Sequence, residues 1–366
     1  MDYLLLLLGI SFVLACIHFL TKSLGATKIA PVNLPPGPRP FPVIGNILQL
    51  GNKPHQTLAG LSKIYGPIMS LKLGSITTIV ISSPHVAKEA LQTHDQALSS
   101  RTILDGARGL DHHKHSIAWL PVSAPWRNLR KVCATQMFTA QRLDATQAVR
   151  RKKVQELVDY VHESCRSGSV VDIGQAAFTT IMNSLSNTLF SIDLAHFQSD
   201  LSQNFNKLVY VVMEESGKPN IADYFPFLQS FDPQGIRKRI TTNIEKLLNI
   251  FDGIIDERIL AREKTMSKES KDLLDSLLNL AEENSSQLSL TSIKHLLLDL
   301  FLAGTDTTTS TVEWAMRMVH LMLASLLYTF DWKLANDMKP EDMDMTEKFG
   351  FTLHKSEPLL AIPIKV

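Results

Sequence analysis

The feature that most constrains the fold is the spacing of apolar residues along most of the chain. From Trp126 onward they recur at intervals of three and four, which places them on one face of a helix. Seven segments have this spacing: 126–136, 144–165, 173–190, 201–215, 235–262, 272–283 and 292–316. Earlier in the chain, helices are predicted at 55–65 and 86–93. Strands are predicted at 68–73, 77–81, 352–353 and 360–364. We therefore expect a mainly α fold with a small β component.

The N-terminus carries an almost continuous apolar run from Tyr3 to Leu20. At about 1.5 Å per residue in a helix, this run comes close to spanning the hydrocarbon core of a bilayer. The first basic residues, Lys22 and Lys28, follow the run, and the positive-inside rule then places the remainder of the chain in the cytosol. We expect residues 1–30 to form an uncleaved signal anchor. A cleaved signal peptide is the alternative, although such peptides begin with basic residues and this chain begins Met1-Asp2.

A proline-rich stretch, residues 31–42, follows the apolar run. Its six prolines in twelve residues exclude helix and stiffen the backbone toward an extended form. We expect it to act as a rigid hinge between the anchor and a single domain over residues 43–366.

The predicted helix 292–316 contains Ala303-Gly-Thr-Asp-Thr-Thr308, an unusual sequence for an apolar helix. A buried carboxylate is costly unless it is paired, and Gly and Thr are poor residues inside a helix. An acid beside an alcohol is suited to passing protons into a buried pocket, which makes Asp306 and Thr307 catalytic candidates. The alternative is a structural kink in which the threonine hydroxyls bond back to helix carbonyls.

Composition excludes several classes of site. The net charge of +1 gives no indication of nucleic-acid binding. Three scattered cysteines, Cys16, Cys133 and Cys165, are too few for a disulfide framework or a zinc site. The histidines at 112, 113 and 115 lack a suitably spaced carboxylate or cysteine, so we interpret them as an exposed loop and predict no metal site. The basic run 150–153 is interpreted as a solvated helix face, with partner docking as the alternative.

Three motifs in order resemble one family. They are Leu34-Pro-Pro-Gly-Pro-Arg-Pro40 after the apolar run, Trp126-Arg-Asn-Leu-Arg-Lys131, and the acid–alcohol motif at 303–308. Together they resemble a plant microsomal cytochrome P-450, a haem-thiolate monooxygenase. Two further segments, 121–126 and 347–353, are most similar to the geraniol-hydroxylase-like group of terpenoid oxidases.

This resemblance implies a function and a set of roles. It implies a cytochrome P-450 fold at the endoplasmic reticulum membrane that binds haem and hydroxylates a small apolar, terpenoid-like substrate with O2. Electrons would come from NADPH through cytochrome P-450 reductase. Haem binding is implied for Trp126, Arg130, Ala303 and Gly304, and proton delivery for Asp306 and Thr307. The residues implied to line the substrate pocket are Leu104, Ile117, Leu120, Phe351 and Leu353.

The chain departs from the family pattern in one large block. The Phe-x-x-Gly-x-Arg-x-Cys-x-Gly loop, which supplies the axial cysteine in the family, is absent, and so is the Glu-x-x-Arg helix pair that supports the haem. Glu163-Ser-Cys-Arg166 matches that pair literally but lies far upstream, so we interpret it as coincidental. The resemblance stops near Met316 and resumes at Arg317, which predicts an internal deletion at 316–317. A natural splice form, a gene-model error and an engineered deletion all fit this pattern.

The missing block sets the expectation for activity. Because no axial cysteine is present, the chain is expected to bind haem poorly and to lack the family's reaction. Cys133 lies one turn beyond Arg130, but mid-helix N–H groups are not free to stabilise a thiolate, so it is predicted to be a core cysteine. A non-catalytic, membrane-tethered fragment that binds the reductase or full-length relatives is the alternative. The helices on either side of the junction are expected to fuse over about 292–328.

Overall fold

The computed structural model of the protein describes residues 11, 34–197, 200–265, 272–283, 288–314, 326–348, 352 and 354–365. The anchor predicted at 1–30 lies outside these residues except for Ser11, and so do the 316–317 junction, Phe351 and Leu353. In the part of the chain that is described, no helix has both the length and the apolar character needed to cross a membrane.

The described residues are mainly helical with a small amount of sheet, which confirms the predicted fold class. The α-helices are α1 Ile47–Leu50, α2 Pro54–Tyr65, α3 Pro84–Lys88, α4 Asp95–Leu98, α5 Ala124–Gln136, α6 Ala140–Ala145, α7 Gln147–Ser167, α8 Ile173–Phe190, α9 Asp200–Gly217, α10 Ile221–Tyr224, α11 Ile236–Thr265, α12 Leu273–Glu283 and α13 Leu290–Trp314. The strands are β1 Ile68–Leu73, β2 Ile76–Ile81, β3 Val171–Asp172, β4 Phe330–Leu334, β5 Glu347–Lys348, β6 His354–Lys355 and β7 Leu360–Lys365. Shorter helical turns lie at Glu89–Thr93 (π) and, as 3₁₀ helices, at Asp105–Lys114, Pro226–Leu228, Ala335–Asp337 and Pro340–Asp342.

The chain divides into two compact units. The smaller unit comprises Met1–Ser99 with Ile221–Phe231 and contains the antiparallel β1–β2 hairpin. The described part of the proline-rich stretch lies along β1, where the Ser70 N–H donates to the Pro36 carbonyl over 3.0 Å. Gly37 is required there, since a Cβ atom would come within 1.9 Å of the Ser70 carbonyl oxygen.

The larger unit comprises Ser100–Asn220 with Asp232–Val366 and contains the main core. Helix α13 packs along α8, and α9 packs along α11. The fully buried rings of Phe190, Phe251 and Phe301 join α8, α11 and α13 at the centre of this core.

A second, smaller core in the same unit is built on a three-stranded antiparallel sheet with the strand order β3–β7–β4. Val171 pairs with Ala361, and Leu334 pairs with Ala361 from the other side. Phe330 of β4 packs there with Leu157 of α7. Strand β4 was not predicted: the sequence favours helix up to residue 328, and the pairing of β4 with β7 is a long-range interaction that local propensity does not include.

One local interpretation is wrong, and a second holds only in part. The histidine segment is not an exposed loop, because residues 105–114 form a 3₁₀ helix and His112 is buried against α13. The basic run is only partly solvated, because Lys153 is 2% exposed and contacts Glu156 at 3.0 Å and Asp193 at 2.7 Å. In both cases a partner that is distant in the sequence satisfies the buried polar side chain. For His112 this partner lies on α13, and for Lys153 it is Asp193.

Candidate functional site

The candidate site lies on α13, which begins after the Ser289 hydroxyl caps it by accepting from the Ser292 N–H over 3.1 Å. Each threonine hydroxyl between residues 305 and 311 bonds back one turn of the helix. Thr305 donates to the Phe301 carbonyl at 2.8 Å, and Thr307 donates to the Ala303 carbonyl at 2.6 Å. The structural alternative therefore holds for the threonines: their hydroxyls satisfy themselves within the helix.

Asp306 differs from these threonines, because its carboxylate is buried and is bonded outside the helix. The Thr352 hydroxyl donates to its Oδ2 over 2.5 Å, and His354 Nε2 lies 3.5 Å from its Oδ1. His354 Nε2 also lies 2.6 Å from the Thr352 hydroxyl, so the three groups form one hydrogen-bonded chain. Burial raises the pKa of the Asp306 carboxyl, and the Thr352 hydroxyl and His354 oppose that rise.

We expect Asp306→Asn to stabilise the fold at pH 7. A carboxyl whose folded-state pKa is raised contributes stability at low pH and loses it as pH rises through that pKa. The amide removes the buried charge and keeps an acceptor for Thr352, so the free energy of unfolding should rise by on the order of 1 kcal/mol. Urea unfolding at pH 7 and pH 4 measures the change. The gain should shrink at pH 4, and a variant less stable than the parent at pH 7 would contradict this account.

Gly304 and Ala303 precede the acid on the same helix. A Cβ atom on Gly304 would lie 2.9 Å from Leu185 Cδ1 of α8, so glycine allows the two helices to pack closely. Ala303 and Thr307 lie on the other side of α13 and are exposed. The residues of the motif therefore separate into a face packed on α8 and a face open to solvent.

Trp126 and Arg130, the residues expected to hold haem, share one face of α5. The Arg130 guanidinium carbon lies 5.7 Å from the centroid of the Trp126 ring, an arrangement that favours a cation–π contact. The indole Nε1–H donates to the Ile117 carbonyl over 3.1 Å. Arg130 is exposed, whereas the indole N–H is used inside the protein.

Three of the predicted pocket residues lie on the segment that precedes α5. Ile117 and Leu120 are half-buried and pack against the main core, and Leu104 is half-buried. Phe351 and Leu353 lie outside the described residues, so their place relative to Asp306 stays a prediction. The neighbouring Thr352 and His354 contact Asp306 directly, which brings this part of the C-terminal segment onto α13.

Sequence reasoning missed a buried polar cluster one to two turns before the motif. Asp299 accepts from the Ser116 hydroxyl at 2.9 Å and from the Ile117 N–H at 2.8 Å. His112 Nε2 lies 3.2 Å from the same carboxylate, and His295 contacts His112. His295, Asp299 and Asp306 follow the i, i+4, i+11 spacing of one helix face, a signal that was present in the sequence.

The described cysteines are Cys133 and Cys165. Burial raises the pKa of the Cys133 thiol to about 11, and Arg130 lowers it only in part. Cys165 packs beside the smaller core. Glu163 and Arg166 form an ion pair on the surface. Within the described residues, no group of three or more His, Cys, Asp or Glu side chains is arranged to hold a metal ion.

Comparisons with known proteins point to one family. The family profile described as Cytochrome P450 matches residues 35–318. Cytochrome P450 76T24 of Catharanthus roseus is 38% identical over 498 positions, covering 100% of this chain and 99% of that protein. Geraniol 8-hydroxylase of Swertia mussotii is 48% identical over 315 residues, with 86% of this chain and 62% of that protein covered. Inactive cytochrome P450 76AD1 of Beta vulgaris is 51% identical over 284 residues, with 77% and 68% covered.

Proposed function

Because the chain belongs to the cytochrome P450 family, we propose that it derives from a haem-dependent monooxygenase of terpenoid-like substrates and no longer performs that reaction. The family and its plant relatives, which include geraniol 8-hydroxylase, support the first part of this proposal. The second part concerns this chain alone and rests on one observation, the absence of the segment that carries the axial cysteine.

The missing segment can be sized from the comparison. The alignment with the Catharanthus relative has 498 positions, and this chain has 366 residues, all of them covered, so at least 132 positions face a gap. The family profile ends at residue 318, close to the predicted junction at 316–317. Both observations support an internal deletion after α13, in the region that precedes the C-terminal strands.

The remaining residues do not fit a haem-thiolate group. An axial thiolate needs a low pKa and donors that stabilise it, whereas the Cys133 thiol is buried with a pKa raised to about 11. The Trp126 indole N–H, implied to meet a haem propionate, is bonded to the Ile117 carbonyl. Asp306, implied to deliver protons, is covered by Thr352 and His354. We therefore assign no reaction step to haem in this chain.

We expect the purified full chain, supplied with haem, to give no reduced carbon-monoxide spectrum of the thiolate-haem type. The physical reason is that the loop carrying the family's axial cysteine is absent from the sequence. The spectrum is measured in detergent micelles beside a full-length relative treated identically. Cys133→Ser should leave the spectrum of this chain unchanged. A thiolate-type band that Cys133→Ser abolishes would contradict the proposal and would identify Cys133 as the ligand.

A second candidate function is that of a non-catalytic, membrane-tethered fragment that binds NADPH–cytochrome P-450 reductase or full-length relatives. One observation favours it: Arg127, Arg130 and Lys131 of α5 are all exposed and form a basic face at the i, i+3, i+4 spacing. Replacing the three by Glu in the full chain should abolish co-purification with the reductase. The same replacement at Arg150, Arg151 and Lys152, which are exposed on α7, is the matched control. Loss of binding in both variants would contradict a site on α5.

A further inference from the structure

The strongest unassigned feature is the buried cluster that joins the segment 105–120 to α13. Its members are His112 and Ser116 on the segment and His295 and Asp299 on the helix, and all four are buried. They are 183 residues apart in the sequence. The Asp299 carboxylate accepts bonds from the Ser116 hydroxyl and the Ile117 N–H, and it contacts His112 Nε2 at 3.2 Å. The family resemblance assigns no role to these four residues.

The geometry of the two histidines limits how many protons they can hold. Their Nδ1 atoms lie 2.8 Å apart, so one of them donates and the other accepts. In the neutral pair His112 carries its proton on Nε2, toward Asp299, and His295 carries its proton on Nδ1, toward His112. One further proton is accommodated on His295 Nε2. Two further protons would place an N–H on both Nδ1 atoms at 2.8 Å with no acceptor between them.

We propose that His112, His295 and Asp299 form a pH-operated clamp. The clamp holds the segment 105–120 on α13 near neutral pH, and it releases the segment when the histidine pair has taken up two protons beyond its neutral state. The device acts on the segment that carries Ile117 and Leu120, which the resemblance places in the substrate pocket. The clamp does not depend on haem, so a result that contradicts the clamp leaves the proposed function unaffected, and the reverse also holds.

The charges around the cluster agree with release in acid. The titratable or charged groups on the segment itself are His113, His115, Arg108, Asp111, Lys114 and Asp105. Those on the helices packed against it are Lys294 of α13, Asp252 and Arg237 of α11, and Arg130 and Cys133 of α5. Arg237 is paired with the buried Asp105 at 3.0 Å and holds the start of the segment independently of the histidines. The His115 ring stacks on the His295 ring with centroids 5.3 Å apart, so a charged His115 opposes a charged His295. Lys294 is paired with Asp252 at 2.7 Å, which leaves Asp299 as the principal counter-charge inside the cluster. Burial, His112 and His115 lower the pKa of His295 to about 4.

The test follows the backbone amide of Ile117, whose N–H donates to Asp299. Amide hydrogen exchange of the full chain in detergent micelles is measured from pH 7 to pH 4 and divided by the intrinsic exchange rate at each pH. We expect the protection of Ile117 to fall by roughly tenfold or more over this range, while the amide of Leu247 in the core of α11 keeps its protection. Equal loss at Leu247 and Ile117 would overturn the proposal, since it would indicate global unfolding.

Two variants complete the test. In His295→Asn the side-chain amide replaces Nδ1 as a donor to His112 but takes up no proton, so Ile117 should stay protected down to pH 4. In Asp299→Ala both acceptor oxygens are removed, so the amide of Ile117 should lose protection at pH 7 as well. Asp252→Asn, which alters the neighbouring ion pair with Lys294 and leaves the clamp intact, should reproduce the parent profile. A His295→Asn variant with the same pH profile as the parent would overturn the clamp.

Discussion

Replacing Arg258 by Met should lower the free energy of unfolding by about 3–5 kcal/mol. The Arg258 guanidinium lies 2.8 Å from Asp272 and 3.0 Å from Asp275, and both carboxylates are buried. It also donates to the Phe190 carbonyl over 2.7 Å, which ties α11 to the end of α8. Methionine fills much of the same volume but removes the Arg258 charge from two buried carboxylates, and the uncompensated desolvation cost of those carboxylates dominates.

Urea unfolding at pH 7 measures this loss, and Arg166→Met is the matched control. Arg166 pairs with Glu163 on the surface, where their side chains are 79% and 68% exposed. A pair of this kind contributes at most about 1 kcal/mol. Lysine at position 258 should recover part of the loss, because it restores the charge without the planar fork. Equal effects of Arg258→Met and Arg166→Met would contradict a buried ionic centre.

The second large effect is expected for Phe301→Ala, with a loss of about 3–5 kcal/mol. Phe301 belongs to α13, five residues before Asp306, and its side chain is fully buried. Its ring makes edge-on contacts with Phe205 of α9, at 5.3 Å between centroids, and with Phe251 of α11, at 5.8 Å. Truncation removes these contacts and leaves a cavity where three helices meet.

Urea unfolding at pH 7 measures this loss as well, and Phe231→Ala is the control. Phe231 is 77% exposed, so its truncation should change the free energy of unfolding by less than about 0.5 kcal/mol. Because Phe301 anchors the helix that carries Asp306, Phe301→Ala should also weaken the Asp306–Thr352 contact. A loss no larger than that of Phe231→Ala would mean that α13 is not seated in the core as described.

The local elements followed from the sequence wherever one physical signal dominated. Helix α8 begins at Ile173 and ends at Phe190, the bounds that the apolar spacing predicts, because both faces of the helix are packed. The β1–β2 hairpin followed from alternation around Gly74. The segment predicted as one helix over 144–165 is instead α6 and α7 with a break at Thr146. Its hydroxyl donates to the Leu143 carbonyl there, a local bond that competes with the helix.

Only part of the candidate site was predictable from the sequence. Asp306 and Thr307 were recognisable because a carboxylate and hydroxyls break the apolar pattern of α13. The contacts of Thr352 and His354 with Asp306, and those of His112 and Ser116 with Asp299, were not recognisable, since each joins residues tens to hundreds of positions apart. The same limit explains the error at His112, which composition placed on the surface and which a buried carboxylate on α13 holds inside.

By itself, the sequence determined the fold class, the family and the absence of the axial cysteine, because periodicity, ordered motifs and a missing residue are all properties of the linear chain. Only the tertiary structure decided how each polar group is satisfied. It set Asp306 against Thr352 and His354, Asp299 against Ser116 and His112, and Lys153 against Asp193. The physical reason is that burial makes an unpaired polar group costly, and the identity of its partner is fixed by three-dimensional packing and not by sequence distance.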